Sequence, residues 1–85
     1  MANYNLRITK SAAKELENVP KQDRLRIIEK IHLLGENPRP HGSEKLSGDE
    51  KYRIRQGDYR ILYTIDDQII TVTVVKIGNR RDVYK

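Results

Sequence analysis

The chain has 85 residues, no cysteine and a formal net charge of +5, and hydrophobic residues make up 36% of it. This length predicts one domain over residues 1–85 and leaves no room for a second. The lack of cysteine excludes disulfides, thiolate catalysis and cysteine-ligated metals, and it is compatible with a reducing cytoplasm.

The basic residues are concentrated in the second half of the chain. Residues 1–50 carry nine Lys/Arg against eight Asp/Glu, whereas residues 51–85 carry eight against four. This excess predicts a nucleic-acid partner, with an acidic protein partner as the alternative. The N-terminus has no apolar signal core and no run of residues approaches the length of a membrane span, so the cytoplasm is the expected location and no membrane partner is expected.

The first half of the sequence predicts one strand and two helices. Apolar and polar residues alternate over residues 4–8, which is typical of a strand. Ser11 is expected to cap a first helix that ends at Pro20, since proline favours the start of a following helix. The second helix has a broad apolar stripe and is expected to end near Gly35, as a glycine C-cap.

The second half predicts a three-stranded meander after a long ordered loop over residues 35–50. Two alternating strands lie within residues 51–63 around a Gly-Asp turn, and a last strand over residues 69–77 is apolar or β-branched on both faces. The predicted fold is α+β: an N-terminal strand and a two-helix hairpin packed on an antiparallel sheet that the C-terminal three-stranded meander completes.

The hairpin within residues 51–63 carries the most informative side chains. Arg53 and Arg55 alternate with Tyr52 and Ile54, so both arginines are expected on one face of the sheet, and Arg60 can approach the same face from beyond the turn. Guanidinium groups on a rigid sheet can bind phosphate oxygens in a bidentate way. We interpret the hairpin as the floor of an RNA site, although a solvated sheet face is the alternative for each arginine taken alone.

The sequence gives no indication of a metal or cofactor. His32 and His41 lack the spacing of zinc ligands, and the carboxylates are scattered singly. No glycine-rich phosphate loop and no Ser/His/Asp grouping is present. No cofactor is therefore expected, and the remaining chemistry is that of arginine and tyrosine.

Cleaving RNA without a metal requires a base for the 2′-hydroxyl, positive charge near the phosphorus and an acid for the leaving oxygen. Arginine supplies the charge but not the proton transfers, because it stays protonated. Tyr84, three residues beyond the pair Arg80 and Arg81, is the candidate phenol. The alternative for Tyr84 is a packing or disordered residue, and the alternative for Arg80 and Arg81 is a solubilising role. Tyr59 can either pack in the core or stack on a base.

At these residues the chain resembles the RelE branch of the RelE/ParE toxin superfamily. The resemblance is carried by five segments: Ala12–Leu16, Lys45–Gly48, Tyr52–Tyr63, Val75–Gly78 and Arg80–Tyr84. It implies a small toxin that cuts mRNA in the ribosomal A site without a metal. It also implies contacts with ribosomal RNA, and silencing by a cognate RelB-like antitoxin in a heteromeric complex.

The resemblance further implies phosphate orientation and transition-state stabilisation by arginines, and stacking or proton transfer by a tyrosine. The predicted catalytic residues are Arg53, Arg55, Arg60, Arg80 and Tyr84, and the predicted RNA-binding residues are Lys45, Lys51, Tyr59 and Arg81. Well-known RelE-type enzymes have lysines where Arg53 and Arg55 stand. If one of those lysines is a base, this chain needs another, and Tyr84 is the candidate.

Two alternatives to a nuclease remain at this point. A ParE-like toxin that binds and inhibits DNA gyrase would use the same scaffold, because fold does not determine function. An inactive member that only binds its antitoxin is the other. The basic hairpin together with the Arg80–Tyr84 tail favours the nuclease.

Overall fold

The computed structural model describes residues 3–46, 48 and 50–79, which form a five-stranded sheet and two helices. The sheet order is β1-β5-β4-β3-β2. In chain order the elements are β1 (Asn5–Ile8), α1 (Lys10–Glu17), α2 (Lys21–Glu36), β2 (Glu44–Lys45), β3 (Lys51–Gln56), β4 (Tyr59–Asp66) and β5 (Thr71–Asn79).

The predicted fold class is confirmed, with two differences in the sheet. β1 pairs with β5 in parallel, so the sheet is mixed rather than wholly antiparallel. The long loop also contains the two-residue strand β2, which pairs antiparallel with β3 at the sheet edge. Neither helix in the described part of the chain has the length and apolar content that a membrane span needs.

The helix ends differ from the prediction by one or two residues. The N-cap of α1 is Thr9, whose hydroxyl accepts a hydrogen bond from Ala12 N at 3.1 Å, so the predicted cap at Ser11 is wrong. Pro20 precedes α2 as predicted, but α2 continues past Gly35 and its C-cap is Asn37. Both cap errors arise because another residue within two positions can make the same local contact.

Gly35 is needed for close packing rather than for capping. Its carbonyl accepts a hydrogen bond from Tyr4 N at 2.7 Å, and a Cβ at this position would lie 3.3 Å from Tyr4 O. A side chain here would push the last turn of α2 away from the start of β1. The glycine therefore fixes the helix against the sheet.

The core lies between the helices and one face of the sheet. Alternate residues of the three long strands point to the helix side, because successive side chains of a strand point to opposite faces. The buried apolar residues are Ala12, Val19, Ile27, Leu34, Ile54, Ile61, Tyr63, Val72, Val74 and Ile77.

β5 begins two residues later than predicted. Ile69 and Ile70 belong to the turn after β4 and are 62% and 39% exposed. Asp66 Oδ1 accepts hydrogen bonds from the backbone N–H groups of Gln68 and Ile69, which extends that turn. The prediction followed the β-branched residues and underestimated this side-chain turn.

A register shift in β5 keeps its apolar residues in the core. Tyr63 pairs with Val74 but Leu62 pairs with Lys76, so one extra residue is accommodated in β5. Without that shift, Val74 and Ile77 would point to opposite faces, because they are three positions apart. The bulge allows both to be buried on the helix side.

Candidate nucleic-acid interface

The sheet face away from the helices carries a group of basic side chains that we call the arginine face: Lys51, Arg53, Arg55 and Arg60. Lys51 and Arg53 pair with Thr64 and Leu62 of β4, and Arg55 pairs with Arg60. Directly paired residues share a face. The predicted convergence of the three arginines on one side of the hairpin is therefore present.

Two of these arginines lie side by side at the hairpin end of the sheet. Arg55 and Arg60 are cross-strand partners next to Gly57, whose φ of 60° is a conformation that glycine adopts at little cost in a hairpin turn. Partners of this kind have Cβ atoms about 5 Å apart. The pair therefore concentrates two positive charges over a small area.

The two partners differ in exposure. Arg55 is exposed, whereas Arg60 is only 1% exposed. On its other side Arg60 pairs with Gly78 of β5, which has no side chain and leaves space beside it. Burial restricts the rotamers of a long side chain. The Arg60 guanidinium is thus held in a narrow range of positions while that of Arg55 can move.

Arg53 is paired with a carboxylate across the sheet. Its Nη2 atom donates a hydrogen bond to Glu44 Oε2, and Glu44 is its register partner on β2. The Arg53 side chain is 14% exposed and that of Glu44 is 62% exposed. The two-residue strand β2 thus brings an acidic group to the margin of the arginine face.

The arginine face has more positive than negative charge. Its four basic side chains lie on one face with two carboxylates of the described strands, Glu44 of β2 and Asp66 at the far end of β4. Such an excess attracts polyanions, and each guanidinium fork can bind two phosphate oxygens. The three arginines can stabilise charge on a phosphate, but they cannot accept a proton at neutral pH.

Two predicted RNA-binding residues lie on the other side of the sheet. Lys45 pairs with Tyr52, and Tyr59 pairs with Gln56 and Asn79, so the register places both on the helix side. Tyr59 lines a cavity of about 300 Å³ near the end of α1. The structure therefore does not bring Lys45 or Tyr59 onto the arginine face.

The remaining predicted residues cannot be placed. Arg80, Arg81 and Tyr84 lie outside the described residues, as does Ser47 of the loop segment. Their roles stay predictions. Over the described residues, no group of three or more His, Cys, Asp or Glu side chains could hold a metal ion.

A second cluster of arginine and tyrosine was not predicted. Arg39 binds Asp67 through both terminal nitrogens, at 3.0 and 3.4 Å, and its Nε donates to Tyr52 Oη at 3.2 Å. Tyr4 Oη donates to Asp67 Oδ1 at 2.6 Å. We call Tyr4, Arg39, Tyr52 and Asp67 the clasp, because they tie the loop after α2 to the residue before β1, to β3 and to the β4–β5 turn.

Hydrogen bonding within the clasp shifts its pKa values. The bonds from Arg39 and Tyr4 hold the pKa of Asp67 below its usual value, and the bond to Asp67 raises the pKa of Arg39. The pKa of Tyr4 is raised mainly by its bond to the Asp67 carboxylate. The clasp is therefore most stable with an ionised Asp67 and a neutral Tyr4.

Two ion pairs were also not predicted: Glu44 with Arg53, and Glu15 with Lys76. Lys76 Nζ binds Glu15 Oε2 at 3.2 Å, and Glu15 Oε1 accepts a hydrogen bond from Ile77 N at 3.0 Å. Glu15 thereby covers the edge of β5 beyond the end of β1. No local sequence signal predicts either pair, because the partners meet only when the sheet register is fixed.

This fold is that of toxins from type II toxin–antitoxin systems. Residues 6–84 match the family model described as the ParE toxin of type II toxin–antitoxin system, parDE. The chain belongs to this toxin family.

Two relatives named RelE1 and RelG support the predicted resemblance to the RelE branch. The Methanocaldococcus jannaschii protein named RelE1 is 35% identical, with 96% of each chain covered. Toxin RelG of Mycobacterium tuberculosis is 30% identical, covering 96% of this chain and 97% of its own length. These relatives support the RelE-type toxin over the gyrase inhibitor.

Solved structures lead to the same assignment. The toxin–antitoxin complex RelBE2 from Mycobacterium tuberculosis contains a chain with a TM-score of 0.84 and 28% identity, with 94% of each chain covered. The archaeal RelE–RelB complex from Pyrococcus horikoshii OT3 gives 0.83 and 30% identity, with 92% of this chain and 96% of that chain covered.

Proposed function

We propose that this toxin is a ribosome-dependent endoribonuclease that cuts mRNA in the A site and thereby inhibits translation in the cytoplasm. The observation that carries the proposal is the placement of Arg53, Arg55 and Arg60 on one sheet face with a positive charge excess. A gyrase inhibitor has no need of three arginines placed together on one sheet face. The RelE-type relatives support the same choice.

The reaction is a transesterification within the RNA strand. The 2′-oxygen loses its proton and bonds to the neighbouring phosphorus, and the bond from phosphorus to the 5′-oxygen breaks. The products are a 2′,3′-cyclic phosphate and a 5′-hydroxyl, which takes up a proton. Negative charge grows on the phosphoryl oxygens during this step. The exposed Arg55 can contact them, and the neighbouring Arg60, whose guanidinium nitrogens are buried, adds positive charge beside it.

The other predicted residues have supporting roles in this proposal. Lys51 extends the arginine face along the RNA backbone. Lys45 on the edge strand β2 and Tyr59 at the hairpin end of β4 contact RNA only where it passes around the edge or the end of the sheet. Arg80 and Arg81 add positive charge, and Tyr84 stacks on a base or transfers a proton. The combined set binds mRNA and ribosomal RNA without a metal ion.

Induced expression followed by primer extension on translated mRNA tests the proposal. Wild-type toxin is expected to give codon-positioned cuts, and both Arg60→Lys and Arg55→Gln are expected to remove them. Because Arg60 is buried and its substitution can cause misfolding, the exposed Arg55 provides the second variant. Arg26→Gln on the outer surface of α2 is the matched control and keeps the cuts.

A gyrase supercoiling assay is carried out in parallel with the primer extension, to test the ParE-like alternative. Loss of supercoiling with intact mRNA supports the ParE-like alternative. No growth arrest and no cut with folded wild-type toxin indicates an inactive member that only binds an antitoxin.

We also propose that a RelB-like antitoxin silences this toxin in a heteromeric complex. The similar RelBE2 and archaeal RelE–RelB structures are complexes of this composition. The toxin has apolar surface for such a partner: a groove of about 200 Å³ is lined by Leu6, Ile8, Leu16, Ile28 and Ile31. Leu25 and Leu33 on α2 are also exposed. Co-expression with a neighbouring acidic reading frame is expected to restore growth and to yield a stable complex.

A further inference from the structure

The 5′-oxygen that leaves in the proposed reaction needs a proton donor. Arginine is a poor donor because its guanidinium does not lose a proton in proteins, whereas lysine side chains have an ordinary pKa of about 10.4 and give up a proton more readily. The donor has to lie within hydrogen-bond reach of the leaving oxygen while Arg55 contacts the phosphate. A lysine in the row of cross-strand partners next to Arg55 and Arg60 meets both conditions.

Lys76 of β5 is the lysine in that row. It pairs with Leu62 of β4, and Leu62 pairs with Arg53 of β3, so the register places Lys76 on the same side of the sheet as the arginine face. Gly78 is the β5 partner of Arg60, so no β5 side chain separates Lys76 from Arg60. The two are diagonal neighbours, which lie about 7–8 Å apart in an antiparallel pair. A lysine side chain can therefore reach an RNA linkage that lies beside Arg60.

The Lys76 ammonium is held at the edge of β5. Its Nζ atom binds Glu15 Oε2 at 3.2 Å, and Glu15 Oε1 accepts a hydrogen bond from Ile77 N at 3.0 Å. β1 pairs with β5 only as far as Val74, so within the described residues no strand covers β5 beyond that point. An RNA strand can therefore approach Lys76 both over the arginine face and from the edge of the sheet.

Glu15 positions Lys76 without using all of its donors. The bond to Glu15 takes one of the three N–H groups of the ammonium, and the Lys76 side chain is 45% exposed. An exposed ion pair of this kind contributes only about 0–1 kcal/mol to stability. Because Glu15 is itself bonded to the β5 backbone, the pair fixes the ammonium relative to the sheet that carries the arginines.

The other proton donors of the described residues are less suited. Lys51 lies two rows away from Arg55 and Arg60, because its β4 partner is Thr64. The tyrosines of β3 and β4 lie on the helix side of the sheet. Both histidines lie outside the sheet, in α2 and in the loop that follows it.

We propose that Lys76 is the general acid of RNA cleavage, an inference that rests on the proposed nuclease function, and that Glu15 is its positioning residue. The 2′-oxygen passes its proton to solvent and bonds to phosphorus. The bond from phosphorus to the 5′-oxygen breaks, and its electron pair stays on that oxygen, which takes a proton from Lys76 Nζ. The neutral amine then regains a proton from solvent, which completes the balance.

Single-turnover cleavage on ribosomes with a defined A-site codon tests this role with two substrates. Lys76→Arg keeps the charge and a donor for Glu15, and on ordinary mRNA it is expected to lower the rate by about 100-fold to 10,000-fold. In the second substrate sulfur replaces the scissile 5′-oxygen, and a thiolate leaves without a proton because thiols have a pKa of about 8.5. On that substrate Lys76→Arg is expected to cleave within about threefold of the wild-type rate.

Lys21→Arg is the matched control, because Lys21 is exposed at the start of α2. It is expected to keep the wild-type rate on both substrates. Thermal melting confirms that both variants are folded.

The lack of cysteine allows a second measurement. Lys76→Cys introduces a single thiol, which can be alkylated selectively. Alkylation with 2-bromoethylamine rebuilds an ammonium of nearly lysine length and is expected to raise the rate of this variant by about tenfold or more. Alkylation with (2-bromoethyl)trimethylammonium adds the charge without a proton to donate, and the rate is expected to stay low.

Three results would overturn the inference. The first is a Lys76→Arg rate within about threefold of wild type on ordinary mRNA, and the second is an equal loss on the sulfur substrate. The third is an equal recovery with the trimethylammonium group, which would show that Lys76 acts through its charge alone. If the wild type cleaves neither substrate, the proposed nuclease function itself fails, and this outcome is distinguishable from failure at Lys76.

Discussion

The clasp and the arginine face use the same residue type for opposite purposes. In the clasp, Arg39 bonds with one carboxylate and one phenol, so its charge is compensated within the protein. On the arginine face, three arginines and a lysine lie with two carboxylates of the described strands, Glu44 and Asp66, so positive charge is in excess. The first arrangement fastens a loop, and the second retains positive charge for a partner.

The difference shows how to separate structural from functional arginines. Exposure does not separate them, because Arg39 is 45% exposed while Arg60 on the arginine face is buried. The balance of charge over the whole cluster separates them better: Arg39 meets Asp67 one to one, whereas basic side chains outnumber carboxylates on the arginine face even though Arg53 has its own pair with Glu44. Paired substitutions in the two regions test this distinction.

The largest effect is expected for cleavage. Arg55→Gln should lower kcat by about 100-fold, because it removes a cation beside the reacting phosphate. It should leave the melting temperature unchanged, since Arg55 is exposed. Arg39→Gln should have the reverse profile, with normal cleavage and a lower melting temperature. Equal loss of cleavage in both variants would show that the two regions are not distinct.

The next largest effect is expected in the stability of the fold at Tyr63, which stacks on the clasp residue Tyr52. Tyr63 is fully buried, stacks on Tyr52 with ring centroids 5.8 Å apart, and donates a hydrogen bond to Pro38 O at 2.8 Å. Tyr63→Phe leaves that buried carbonyl unsatisfied and should cost about 1–2 kcal/mol in the free energy of unfolding. For a chain of this size each kcal/mol lowers the melting temperature by about 4–8 °C.

Tyr52→Phe is the matched control for this prediction. It also removes one hydroxyl, but Tyr52 is only partly buried and its lost partner, Arg39, keeps its bond to Asp67. Its destabilisation should be smaller than that of Tyr63→Phe. Thermal and urea unfolding measure both, and the opposite order would assign the hydroxyl of Tyr52 the larger structural role.

The hairpin and its arginine face could be predicted because their determinants are local. Alternation fixes which side chains share a face, and the two-residue turn at Gly57 fixes the register of β3 against β4. The helices were predicted for the same reason, from periodic apolar residues and Pro20. These features need no knowledge of distant segments.

The missed features depend on contacts between distant residues. β2 is two residues long and has no alternation of its own, so its pairing with β3, and hence the contact of Glu44 with Arg53, follows only from the folded sheet. The parallel direction of β1 is likewise set by β5, more than sixty residues later. Arg39 and Asp67 are 28 positions apart, with no spacing signal to link them.

A smaller effect is expected in the salt dependence of RNA binding. Each phosphate contact to single-stranded nucleic acid contributes about 0.7 to the slope of log affinity against log salt concentration. Arg55→Gln should therefore reduce the slope by about 0.7, whereas Arg39→Gln should leave it unchanged. Fluorescence anisotropy with a short single-stranded RNA measures both slopes, and an equal reduction would place Arg39 in the RNA-binding surface.

The smallest expected effect is the response of the clasp to acid. The pKa of Asp67 is lowered in the folded protein by its bonds to Arg39 and Tyr4. The ionised Asp67 therefore stabilises the fold fully above the unfolded pKa of about 3.9, and this stabilisation is lost as the pH falls through the lower folded pKa. Asp67→Asn should therefore have a lower melting temperature than the wild type at about pH 6, and the difference should narrow towards about pH 3. Arg55→Gln, which leaves the clasp intact, should follow the wild-type pH dependence. A constant difference between Asp67→Asn and the wild type over this range would show that the clasp acts through packing and not through the charge of Asp67.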